Sequence, residues 1–413
     1  MIRVNGTVRY CHTVNAWLSV VLLKRMNQST DRIRILLEIG FRPFFLGAGI
    51  FAVLSIGLWS VIYLFQLKIS TAPISVLQWH AHEMIYGYAL AVVAGFLLTA
   101  VANWTGLPTC VGKPLLLMFA CWCLARVLYL FGSQFLLFAG LFDLVFIMLL
   151  LISIIRPIAK KRMWVRMAVV SKLVLLFVFN CVFLLGASGF IEDGARIGVY
   201  GGLYLIIGLI LTVGKNLVPF FIARGVAYEV SIASFRWLDF TSLGLFLVFF
   251  VLELSSFLPK LSGVVAFGLF LVNCIRLSQW HTKGIWSTPL LWSLYLSYCF
   301  TCLGFLLMGL HYFIGVSKYL AIHSFAVGGV GLITLSMMSR VALGHTGRNI
   351  SKPPQLVIVA FLLLIACACV RVVLPLLISS LVWMPLSFIF WICAFLAYLW
   401  VYLPILLSPR IDL

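Results

Sequence analysis

Of the 413 residues, 64% are hydrophobic and only 9% are charged, and the mean hydropathy is +1.18, which excludes a water-soluble globular domain. The formal net charge of +19 would suggest nucleic acid in a soluble chain. Here the basic residues fall mostly between long apolar runs, so the implied partner is lipid and no nucleic-acid role is expected.

Backbone polar groups in lipid must be satisfied internally, by helices or closed barrels, and these runs are far longer than barrel strands. The fold class expected is therefore all-α, a polytopic bundle. Residues 1–41 read as a basic cytoplasmic segment, in which 13–23 forms either a short interfacial helix or no fixed structure. No cleavable secretory signal is expected, since the first long apolar run stays in the chain as a span. Residues 42–413 read as one membrane domain with twelve spans. They are placed at about 43–65, 83–102, 114–131, 135–155, 168–190, 197–214, 237–253, 261–277, 289–310, 320–339, 356–374 and 382–406. A very short turn at Gly132 and Ser133 makes the third and fourth spans antiparallel neighbours.

With the N-terminus inside, 23 of the 29 Lys and Arg fall on the cytoplasmic side and 6 outside, so both termini are expected in the cytoplasm. This topology gathers His80, His82, His311 and His323, four of the seven histidines, at the outer leaflet. His281 and His345 fall inside and His12 in the N-terminal segment. The eleven cysteines show no regular framework. Cys299 and Cys302 form a CxxC, but within a span, where cysteine acts as a small hydrophobe.

The second span is the stretch with the most chemistry. Neutral imidazole ligates haem iron and copper, and Glu83 is suited to orient a ligating ring. His80 and His82 share one ion only if the helix starts at Glu83. On a regular helix they point about 200° apart and serve different partners. Interfacial histidines bonded to carbonyls and water are the alternative for each. Asp143 reads either as a partner for Arg126 or as part of a proton path. Asp239 is expected to pair with Arg236, one turn away. Arg42, Arg340, His345 and Arg348 lie near Gly-rich turns at the inner face, suited to an anion such as a haem propionate or lipid phosphate, or simply to interface anchoring.

FRPFFLGAG at 41–49, WHAHEMIYGYALAVVAGFLLTAVANWTG at 79–106 and HSFAVGGVGLITLSMMSRVALGHTGR at 323–348 resemble the NnrS family of bacterial inner-membrane proteins. PLLWSLYLSY at 289–298 and GKNLVPFFIARG at 214–225 are weaker blocks of the same likeness, which runs from about residue 38 to the end. The resemblance implies a twelve-span protein with haem and copper, tied to nitric oxide and protection from nitrosative stress. His80, His82, Glu83, Asn103, Trp104, Gly106, Arg42, His323, Arg340, Gly344, His345, Thr346, Gly347 and Arg348 match the family blocks. Ala102 stands where proline is usual, and Tyr295 where a histidine is expected.

The leading expectation is a haem-binding, and secondarily copper-binding, membrane protein that lowers nitric oxide damage. As an enzyme it would be a nitric oxide or oxygen oxidoreductase, although no CxxCH haem attachment occurs. A transporter of a small solute or metal is the second class, disfavoured because no internal repeat or pair of broken half-helices is evident. A sensor without turnover is the third. The charge count predicts that reporter fusions after Thr71 and near Lys318 read outside, and fusions after Lys161 and at the C-terminus read inside. A C-terminus found outside would contradict both the orientation and the outer grouping of the histidines.

Overall fold

The computed structural model describes residues 31–67, 74–233, 235–378 and 382–411. The readings of 13–23, His12 and Lys68 therefore lie outside the described residues.

Among the described residues twelve helices are long and apolar enough to cross a membrane. They are Phe41–Phe65, Val76–Thr105, Lys113–Phe131, Ser133–Lys160, Trp164–Ala187, Gly194–Gly225, Arg236–Ser255, Pro259–Trp280, Pro289–Ile314, Lys318–His345, Gln355–Leu377 and Trp383–Leu406, called spans 1 to 12. The expected spans are all present, several with bounds shifted by a few residues. The two largest shifts have local reasons. Span 2 begins at Val76 because Ser75 and Gln78 form a reciprocal capping box. Span 6 runs on to Gly225 through Pro219, because Val218 and Ile222 are buried and keep that turn packed. Gly132, at φ 82°, makes the tight turn between spans 3 and 4.

Neighbouring spans pack in sequence, and span 12 returns to span 1, so the twelve helices close a ring. Spans 2, 6 and 10 also touch one another across it. Spans 2 and 10 are accordingly the most buried, at 83% and 78% of their most apolar stretches, against 28% for span 7.

These two central helices are also built alike. Span 2 is an α-helix over Val76–His82, a π-helix over Glu83–Ala89 and an α-helix over Leu90–Thr105. Span 10 repeats the plan with Lys318–His323, Ser324–Gly331 and Leu332–His345. A histidine ends the first segment of each, and both close on Thr-Gly, with Gly106 and Gly347 at positive φ. The threonine hydroxyls donate back four residues in both, Thr105 to Val101 and Thr346 to Ala342. π-Helical winding is rare and concentrates at functional sites. It also leaves backbone carbonyls for side chains to satisfy: Trp122 Nε1 donates to Gly87 O at 2.9 Å. The sequence reading found no paired interrupted helices. The structure has this pair, uninterrupted but rewound.

Spans 5 and 6 meet at Gly186 and Gly194, where a Cβ on Gly186 would lie 2.2 Å from the Ala195 backbone nitrogen. Gly186→Val is predicted to destabilise the detergent-solubilised protein by about 1–3 kcal/mol, seen as a lowered melting temperature. Gly57→Val, with open space around its Cβ, should melt like the unaltered protein.

Candidate functional site at the histidine end

The regular helix over Val76–His82 sends His80 and His82 to different places, the second of the alternatives read from their spacing. His80 stacks on Trp59 of span 1, centroids 4.4 Å apart and planes 13° off parallel. It lines a cavity of about 470 Å³ with His323, Arg371, Arg196, Tyr200 and Trp391. That volume lies within the roughly 300–1,000 Å³ typical of small-molecule sites. The His80 ring nitrogens make no hydrogen bond among the described residues.

His323 is held differently. Its Nδ1 lies 2.7 Å from Tyr319 O. A carbonyl only accepts, so Nδ1 carries the proton and Nε2 presents a lone pair. Arg371 Nη2 donates to that lone pair at 3.2 Å. Arg371 Nη1 is buried without a partner among the described residues, and the guanidinium sits 5.0 Å from the Trp383 ring centroid. Two imidazoles from the paired central helices thus face one cavity, beside a cation with an unused donor. Asp193, at the same cavity, is already paired with Arg196 at 3.3 Å.

His82 points away into a closed polar cluster. Its Nδ1 donates to Glu83 Oε1 at 3.0 Å, and Nε2 lies 3.0 Å from Asn180 Oδ1 and 3.7 Å from Asp143. Arg126 donates to the same Glu83 oxygen at 2.6 Å and forms an ion pair with Asp143 through Nη2. Phe183 stacks on the His82 ring at 4.2 Å. All five polar side chains are buried. Asp143 therefore partners Arg126, and Glu83 orients His82 rather than His80.

The other candidates lie apart from the cavity. His311 donates from Nδ1 to Val316 O at 2.7 Å and is not among the lining residues. Arg340, His345 and Arg348 lie at the far end of span 10. There Arg340 covers the Phe221 ring at 4.0 Å, His345 Nε2 is 3.4 Å from Asn103 Nδ2, and Arg348 donates to Thr346 O at 3.4 Å. Trp104 carries Arg166 on its face at 4.2 Å. Arg42 donates to Leu406 O and Ser408 O at 2.8 and 2.6 Å, capping the end of span 12. Tyr295 donates to Leu277 O at 3.2 Å, with the His281 ring 5.9 Å away. Asp239 bonds Lys215 and Arg276, at 2.9 and 3.0 Å, rather than Arg236: in lipid the deeper cations gain more from an anion than a boundary residue does.

Arg371, Arg196, Trp59 and Asn180 were not singled out from the sequence. For Arg371 a signal existed, since it is the one charged residue of span 11. Glu253 was missed too. It is buried and bonded by Lys318 at 2.8 Å, Tyr204 at 2.9 Å, Tyr312 at 2.6 Å and Ser262 at 2.5 Å. Among the described residues no group of three or more His, Cys, Asp and Glu is arranged to hold a metal ion.

In comparisons with known proteins, the family profile described as NnrS protein matches residues 35–410, nearly the whole chain. No curated protein matches it closely enough to count as a relative.

Removing one member of a buried ion cluster leaves the others uncompensated. Arg126→Met, which strands Glu83 and Asp143, is predicted to cost about 3–5 kcal/mol in detergent unfolding. Replacing all three with Met, Gln and Asn should recover much of that loss. Arg196→Ala, at a half-exposed pair, should change stability by less than about 1 kcal/mol.

Proposed function

The chain belongs to the NnrS family, and from that premise we propose that it is a membrane haem protein that limits damage by nitric oxide, with the haem held in the cavity at the histidine end. The reading rests on one observation above all. His80, whose ring nitrogens make no hydrogen bond among the described residues, and His323, whose Nε2 is held by Arg371 alone, line a single cavity, and Arg371 Nη1 is buried without a partner among the described residues.

These residues fit the group. His80 and His323 would hold the iron, and Arg371 and Arg196 would pair with the acidic edge of the macrocycle. Haem, when bound, supplies ligand-binding and electron-transfer chemistry at iron that no side chain here provides. The chain's own residues do the rest. Trp59 fixes the plane of the His80 ring by stacking. The Tyr319 carbonyl fixes the His323 tautomer, which leaves Nε2 as the ligating atom. Arg371 now bonds that nitrogen, and a carboxylate is the better acceptor for a guanidinium. An acidic group in the cavity would draw Arg371 off and release the lone pair.

Copper, also implied by the resemblance, lacks a three-donor set among the described residues, so haem is the cofactor assigned. The partners are membrane lipid and a small uncharged ligand such as nitric oxide. The membrane is the bacterial inner membrane, with both termini cytoplasmic on the charge bias. The function is protective binding, with no turnover assigned.

His80→Ala and His323→Ala are each predicted to lower the Soret absorbance per mole of folded protein, and the double variant to abolish it. His281→Ala, at the opposite end, should retain it. Full haem content in the double variant would rule out this site.

A further inference from the structure

Spans 2, 6 and 10 border a second, partly open space that begins one to two turns further into the bundle. The histidine-end cavity is lined on these helices by Ile85, Leu203 and Val327. Further along the same three, Val92, Ile206 and Val330 line a smaller cavity of about 90 Å³, which span 9 completes with Leu294.

Its walls are apolar except for Thr334, whose proton and one of whose lone pairs are already used. Thr334 has one proton and donates it to the Val330 carbonyl at 2.6 Å. The Tyr88 hydroxyl, 2.6 Å away, must therefore donate to Thr334. The cavity then offers a solvent molecule no side-chain donor and at most the second lone pair of Thr334 Oγ1, whereas a buried water needs about two to four polar partners. Apolar cavities of comparable size, about 150 Å³, stay dry and take up xenon or benzene. A space of about 90 Å³ is large enough for a diatomic molecule or a xenon atom but too small for an ordinary metabolite.

We propose that this cavity is a dry binding site for small uncharged apolar molecules of diatomic size, held on the same central helices as the histidine-end cavity. Such molecules dissolve in the hydrocarbon core, so they reach an intramembrane site without crossing water. The site goes beyond the haem reading and does not depend on it, because it is complete in protein that carries no cofactor.

Gly214 supplies the means to test it. It lines the cavity, and a Cβ added there would meet only Tyr298 carbons, at 3.7–4.0 Å, which is ordinary contact. Gly214→Leu should therefore fill the space without forcing the helices apart. Crystals grown in a lipidic mesophase and pressurised with xenon are expected to show an anomalous peak between Val92, Ile206 and Val330. The peak should vanish in Gly214→Leu, checked as folded by helical content and gel filtration. Should that variant not fold, Val93→Phe, on the half-buried side of the same cavity, serves as the control. No xenon in the unaltered protein, ordered water in its place, or undiminished xenon in a folded filled variant would each overturn the proposal.

Discussion

Arg126 carries its charge near the histidine end of a membrane helix, where an unpaired guanidinium is costly. Two carboxylates answer it, Glu83 from span 2 and Asp143 from span 4, and His82 closes the cluster onto Asn180 of span 5. Four helices are fixed in rotation by these five side chains. Both nitrogens of His82 are consumed in the process, so His80, two residues earlier and facing the other way, is the imidazole left to the cavity. Glu253 does similar work further round the ring, joining spans 6, 7, 8, 9 and 10 through Tyr204, Ser262, Tyr312 and Lys318. Arg276 ties spans 7, 8 and 9 through Asp239, Ser242, Asn273 and Tyr298.

With the ring held, the central helices can afford unusual winding. Span 2 and span 10 each turn into a π-helix directly after a histidine, and an arginine from the following span reaches each histidine's surroundings. The two places have opposite characters. At span 2 the arginine is neutralised by carboxylates and the space is filled. At span 10 Arg371 has no carboxylate partner among the described residues, and the space is open. The difference is one of residue type: Glu83 follows His82, whereas Ser324 follows His323 and turns its hydroxyl to the Phe300 carbonyl. One plan thus yields a structural clamp in one copy and a cavity in the other.

The span count was legible in the sequence because each apolar run must match the bilayer's thickness, a constraint that needs no tertiary information. The grouping of His80 and His323 at one end followed from the parity of the spans, and the scarcity of charges in lipid made a pair with Arg126 one of the two readings of Asp143. Rotation about each helix axis was not legible. It alone separates His80 from His82 and keeps His311 out of the cavity. The role of Arg371 was hidden for the same reason, since its partner lies 48 residues away on another helix. π-Winding left no mark either: EMIYGYA and SFAVGGVG read as ordinary apolar helix, and the extra residue per turn appears only once Tyr86 and Trp122 have found their carbonyls.

A cryo-electron microscopy map of the protein purified from cells supplied with haem tests the central claim most directly. The account predicts planar density in the cavity between the His80 and His323 rings, with Arg371 turned from His323 to the edge of the macrocycle. A haem seated anywhere else in the bundle, or a map of haem-replete protein with Arg371 still on His323 and nothing between the rings, would contradict it.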